Sequence, residues 1–144
     1  CLNSGALAVG TTSSRIAIGV AINYVFKGVF GLRTVTANTL FPIEPGTGLV
    51  PQQPNAFVTL AAGQSCSFLL LVNPVGGAVT AIQGPIVAAG DPVPVSASPQ
   101  DRIAFGAVKV SNATNPFIPG TTALNAAGVT STFFSLSGHP GYSL

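Results

Sequence analysis

The sequence predicts an all-β domain: an antiparallel sandwich or small barrel, of which a jelly roll is one form, with short loops and at most one short helix. Three observations lead there. In Arg15 to Phe26, "RIAIGVAINYVF", the even positions Ile16, Ile18, Val20, Ile22, Tyr24 and Phe26 are large and apolar while those between are small or polar. A repeat of two is the spacing of a strand with one buried face. The 17 Gly and 12 Pro of this 144-residue chain fall at short intervals and cut it into short strands. No stretch carries the charge-patterned periodicity of an amphipathic helix.

Taken in order, Cys1 to Ser14 is small and polar with scattered Leu2, Leu7 and Val9, and reads as an N-terminal arm. Residues 15–144 read as a single β domain, a length able to bury roughly 70% of its unfolded surface. The strand from Arg15 to Phe26 meets a turn at Lys27-Gly28, and "VFGLRTVTA" returns, which predicts a hairpin. In the loop 41–54, Pro42, Pro45, Pro51 and Pro54 each remove a backbone donor, so a stiff extended path is expected. Strands are expected at Phe57–Leu60, Ser65–Val72 and Ala78–Gln83, with a turn at Ala62-Gly63 and a loop from Asn73 to Gly77. The run Phe68 to Val72 is apolar on both faces, which predicts a central strand covered on both sides.

Residues 88–100 include "AAGDPVPVSASP", whose alternating Pro92 and Pro94 favour an extended linker. In Arg102 to Val110, Ile103, Phe105 and Ala107 are expected on one face and Ala104, Gly106, Val108 and Val110 on the other. Asn112 to Gly120 is rich in turn residues. Thr122 to Ala127 could make one helical turn, capped by Thr121 or Thr122 and stopped by Gly128. Val129 to Leu136 is a last strand, and Gly138 to Gly141 closes the chain.

Charged residues make up 6% of the chain, against roughly 25% in an ordinary soluble domain. A surface so poor in charge repels copies of itself weakly, which suits a protein built to touch other subunits. Arg15, Lys27, Arg33, Arg102 and Lys109 are scattered and opposed by Glu44, Asp91 and Asp101. Phosphate recognition needs clustered cations, so no nucleic-acid partner is expected. The longest apolar run is far below the roughly 20 residues that span a bilayer, so no membrane segment is expected. Cys1 and Cys66 make no disulfide framework and read as free thiols, Cys66 as a small buried hydrophobe, which fits a reducing cytosol. Cys1 also admits a second reading, the acylated first residue of a lipoprotein.

Catalytic chemistry finds little to work with. His139, followed by Pro140, reads as a solvated turn residue, and Asp91 and Asp101 sit at a turn and a strand opening. Glu44 completes the acids, too few and too dispersed for a glycosidase pair. His139, Cys1 and Cys66 have no zinc spacing. The glycines at 46, 48, 76 and 77 lack a phosphate-loop context. Asn112-Ala-Thr114 matches a glycosylation triplet, with meaning only in a secreted eukaryotic protein. No enzyme activity, metal site or cofactor is expected.

Four phrases carry a resemblance: "LAVGTTSSRIAI" (Leu7 to Ile18), "AAGQSCSFLLLVNPVGGAVTAIQG" (Ala61 to Gly84), "IAFGAVKV" (Ile103 to Val110) and "FIPGTTALNAAGVTSTFF" (Phe117 to Phe134). Together they resemble small virion proteins of tailed bacteriophages, of the capsid decoration (cement) and head-fibre type. The first departs slightly, with Val9-Gly10-Thr11-Thr12 where the group has an Ile-Gly-Thr-Thr-like phrase. The resemblance implies a virion structural protein, made in the host cytoplasm and placed on the capsid surface. Its implied partners are the major capsid protein and other copies of itself, a trimer being favoured. The arm and the Pro-rich loop are the expected contact elements, through Leu2, Leu7, Val9, Pro42, Pro45, Leu49 and Pro51, with Arg15 and Arg33 meeting acidic patches. The alternatives are a head or tail fibre that binds the host, and a secreted or lipid-anchored β module.

Overall fold

The computed structural model describes residues 6–11, 13–33, 39–42, 57–75, 79–96 and 100–136. These residues form an all-β, antiparallel structure with no helix among them. Strands β1 (Leu7–Val9), β2 (Arg15–Ile18) and β5 (Thr39–Pro42) make a three-stranded sheet in the order β1-β2-β5. Strands β3 (Ile22–Phe26) and β4 (Val29–Arg33) form a two-stranded ribbon. The largest sheet runs β10-β9-β6-β7, from β6 (Gln64–Val72), β7 (Val79–Gln83), β9 (Ile103–Asn112) and β10 (Val129–Ser135). Short β8 (Val87–Ala88) pairs with the start of β6, in line with β7. Among the described residues the sheets stay open, as in a sandwich, and none closes into a barrel.

Strand β6 is buried on both faces because its sequence is apolar on both. Cys66, Phe68, Leu70 and Val72 point into the main core, against Ile16 and Ile18 of β2, Ile22 and Tyr24 of β3, and Leu60, Phe117 and Leu124. Leu69 and Leu71 point the other way and pack with Ile82, Ala107, Leu136 and Val95. Each such side chain stabilises by about 1.5–3 kcal/mol when fully buried. The second face is covered by residues 92–96: Ser67 Oγ donates to Pro94 O and Ser96 Oγ donates to Gln83 O. The linker expected at 88–100 thus begins inside β8 at Ala88 and continues as a strap over the sheet.

The long strand expected from Arg15 to Phe26 is two strands in two sheets. The chain bends at Gly19-Val20-Ala21, and Val20 leaves the buried register while Ile16, Ile18, Ile22 and Tyr24 keep it. The arm differs as well. Leu7–Val9 is strand β1, paired with β2 from Leu7 opposite Ile18 to Val9 opposite Ile16, because its two apolar side chains have a core to pack on. The Pro-rich loop starts later than expected, since Phe41 and Pro42 belong to β5, Pro42 at its end opposite Arg15. The rest of that loop lies outside the described residues.

Strand β9 breaks its own alternation. Leu70 of β6 stands opposite Gly106, but Leu71 stands opposite Ala104, so Phe105 is an extra residue in the ladder. Ile103 and Phe105 face the main core before this bulge, and Val108 and Val110 face it after, while Ala104 and Ala107 face the second cluster. The single-period reading of 103–110 fails there because a bulge advances the side-chain parity by one.

Residues 57–60 do not form the expected strand. They are held by one bridge, Leu60 with Phe117, and by side-chain amides: Gln83 binds Val58, and Gln64 Oε1 accepts from Ala61 N at 2.7 Å. The phrase from Phe117 onward forms turns in place of the expected helical turn. Thr121 N and Thr122 N donate to Ile118 O, and Ile118 N donates to Thr122 Oγ1. Leu124 is buried in the main core while its N–H donates to Ser13 O at 2.8 Å.

Candidate protein-interaction surface

The β3–β4 ribbon is built by a two-residue turn. Phe26 pairs with Val29, and Lys27 and Gly28 both have positive φ, 49° and 79°. That is the type I′ geometry, whose twist matches the flanking strands. Lys27 carries a side chain where glycine or asparagine is commoner, and its Nζ lies 5.3 Å from the centroid of the Phe26 ring.

Period-two alternation then gives the ribbon two unlike faces. Ile22 and Tyr24 turn inward and are buried. The Tyr24 ring covers Gly31 in the space a Cβ would need, and its hydroxyl donates to Pro74 O at 3.4 Å. On the outward face Val25 stands opposite Phe30, and Asn23 opposite Leu32. Val25, Phe30 and Leu32 are 48%, 61% and 54% exposed, and Val29 beside the turn is 70% exposed. Single exposed apolar side chains are ordinary, whereas a contiguous patch of them marks a contact surface. The sequence signal points the other way: in "VFGLR" Phe30 and Leu32 are the apolar parity, while Val29, Gly31 and Arg33 share the other, and the structure leaves Phe30 and Leu32 exposed.

Of the contact residues expected from sequence, Leu7, Val9, Arg15 and Pro42 share the β1-β2-β5 sheet, with Pro42 opposite Arg15, while Arg33 lies apart on the ribbon. Leu7 and Val9 are partly buried against the chain's own core, Val9 opposite Ile16. Arg15 lies at the start of β2, and Arg33 at the end of β4 opposite Ile22. Leu2, Pro45, Leu49 and Pro51 lie outside the described residues, as do Cys1, Glu44 and His139.

A cavity of about 360 Å³ opens on the covered side of the large sheet, lined by Ser67, Val93, Val95, Ala107, Lys109 and Phe134 among others. Ser67 already donates to Pro94 O, and among the described residues no histidine or carboxylate lines the cavity. Cys66 is a buried thiol on the core side of β6, and burial pushes it up from the usual 9.0 to about 11 against the smaller opposing effect of Gln83. A thiol held protonated in this way is a packing group at neutral pH. Asn112 of the glycosylation triplet is buried, with Nδ2 donating to Ala61 O at 3.2 Å. Among the described residues no three His, Cys, Asp or Glu gather as a metal site, and no helix is long and apolar enough to cross a membrane.

No protein-family model, characterised protein or solved structure matches the chain.

Proposed function

We propose that this chain is a virion structural protein of a tailed bacteriophage, a capsid decoration or cement protein that bridges and stabilises major capsid protein subunits on the outside of the head. The observation that carries the reading is the outward apolar face of the β3–β4 ribbon, Val25, Phe30 and Leu32, in a chain with 6% charged residues. A ribbon of two strands is marginal alone in water and gains from a further surface to pack on. The phrases that resemble phage virion proteins fit this assignment. They include the buried plug around Leu124 and the central strand β6, both of which build a stiff support for the ribbon.

The mechanism is attachment by repetition. A patch of a few hundred Å² binds weakly once, but attachment to many equivalent lattice positions raises avidity by about 10² to 10⁴ when copies are linked. The ribbon replaces Leu7 and Val9 as the contact element in this proposal, since those two side chains are occupied by the chain's own core.

The test is the copy number of this chain relative to the major capsid protein, by quantitative peptide mass spectrometry on purified virions. A ratio near one, or near a simple lattice fraction, supports the cement role. A handful of copies per particle moves the protein to a fibre, and absence from the particle removes the virion assignment.

A further inference from the structure

The two edges of the large sheet are treated differently. On the β7 side the ladder is interrupted at Gly84-Pro85-Ile86, the Gln83 side chain is engaged with Val58, and Ser96 Oγ donates to Gln83 O. Proline, interruption and cover are the devices that stop an edge from recruiting another strand. Among the described residues the β10 edge shows none of them. "VTSTFFS" contains no charge, proline or glycine, pairs with β9 through seven consecutive positions without a bulge, and among the described residues has no strand along its other side.

The direction of its backbone groups follows from the ladder. Ala113 N donates to Gly128 O, and Leu136 N donates to Phe105 O, so the even residues of β10 exchange bonds with β9. The odd residues aim their N–H and C=O away from it. Val129 N is taken by Ala126 O, which leaves Ser131 and Phe133 at the middle of the edge.

We propose that β10 pairs antiparallel with β10 of a second copy of this chain, about a two-fold axis through Thr132, to make one sheet continuous across a dimer. This register overlaps all seven residues and sets Ser131 opposite Phe133 of the second copy, with four backbone bonds at the centre. It keeps each face with its like: Thr130 and Phe134 meet across the outer face, and Thr132 meets its own copy, a favourable cross-strand pair. Neither β10 carries a charge to oppose. Lys109, opposite Thr132 in β9, lies about 14 Å from its counterpart at strand spacing, beyond the screening length of roughly 8 Å. The partly exposed Phe134 gains cover from the second copy.

Area sets the strength. A seven-residue strand is about 24 Å long, and an edge about 10 Å thick hides on the order of 240 Å² per copy, against roughly 800 Å² in a standard interface. The dimer is therefore weak in dilute solution and fills where copies are concentrated. A two-fold edge contact closes at two copies, unlike the trimer that the resemblance favours.

The test uses the purified chain with Cys1→Ser and does not depend on the virion assignment. Opposed residues at a non-hydrogen-bonded antiparallel pair stand about 4.5 Å apart at Cα, within disulfide reach. Thr132→Cys should cross-link to itself under mild oxidation at least tenfold faster than Thr130→Cys, whose counterpart lies about 14 Å away in this register. Sedimentation equilibrium should show mass rising from one chain toward two with concentration, and Ser131→Pro, which removes an outward N–H without touching the β9 ladder, should weaken association at least tenfold. Equal cross-linking of the two cysteine variants, a single-chain mass up to about 1 mM, or assembly that stops at three copies would each overturn the proposal.

Discussion

Gln83 acts on Val58 as a strand would: its Oε1 accepts from Val58 N at 2.7 Å and its Nε2 donates to Val58 O at 2.9 Å. One side-chain amide thereby supplies both bonds of a missing ladder position. Replacing it by the similarly sized Gln83→Leu removes both, each worth about 0.5–1.5 kcal/mol net. Urea unfolding should show a loss of about 1–3 kcal/mol, with cleavage by added protease rising first near residues 57–60. An unchanged midpoint would mean that water replaces the amide without cost.

Gly106 and Leu7 make a second close relationship. A Cβ on Gly106 would meet Leu7 Cδ1 and lie 3.2 Å from Phe134 O, so the Leu7 side chain has to move to admit one. Gly106→Ala should cost about 1–3 kcal/mol through overpacking. Adding Leu7→Ala should recover part of that, so the double variant is more stable than the sum of the singles predicts. Strict additivity in a double-mutant cycle would place the strain elsewhere.

The outward ribbon face separates binding from folding. Phe30→Thr removes an exposed ring and keeps a strand-forming residue, so stability should change by less than about 1 kcal/mol, the scale of one cross-strand pair. Retention on purified capsids lacking the native protein should fall at least tenfold, read by pelleting. Undiminished pelleting of a folded variant would move the contact off this ribbon.

Cys66 gives the fold an alkaline weakness. Its folded-state value of about 11 exceeds the ordinary 9.0, so between those pH values the unfolded chain has lost a proton that the folded chain keeps. Stability is full below pH 9.0 and falls as pH rises toward 11, by about 3 kcal/mol in all at 1.36 kcal/mol per unit. Cys66→Ala should flatten that decline while lowering stability at neutral pH through lost packing. Parallel denaturation curves for the two proteins from pH 8 to pH 10.5, about the range of the thiol's titration, would refute the assignment.

Much of the fold was legible because local chemistry and burial agree in it. The turn at Lys27-Gly28, the doubly buried run at Phe68 to Val72, and the inward Tyr24 all follow from spacing that tertiary structure left intact. The misreadings share a cause: a neighbour from far along the chain outweighed the local pattern. Leu7 and Val9 resembled a loose arm until β2 and β9 offered them a core. Phe57 to Leu60 had strand composition, but Gln83 and Phe117 took the places of a partner strand. The ribbon's outward face was not legible, since Phe30 and Leu32 are the apolar parity that a strand ordinarily buries, and here Ile22 and Tyr24 of β3 take the core instead.

The bulge at Phe105 gives β9 two reading frames. Residues before it obey one parity and those after it the other, so a relative that gained or lost one residue there would exchange the core-facing and outer-facing sets over half the strand. A single insertion or deletion in this segment thus costs more than a substitution, because a uniform alternation laid over Ile103 to Asn112 matches only one end of it.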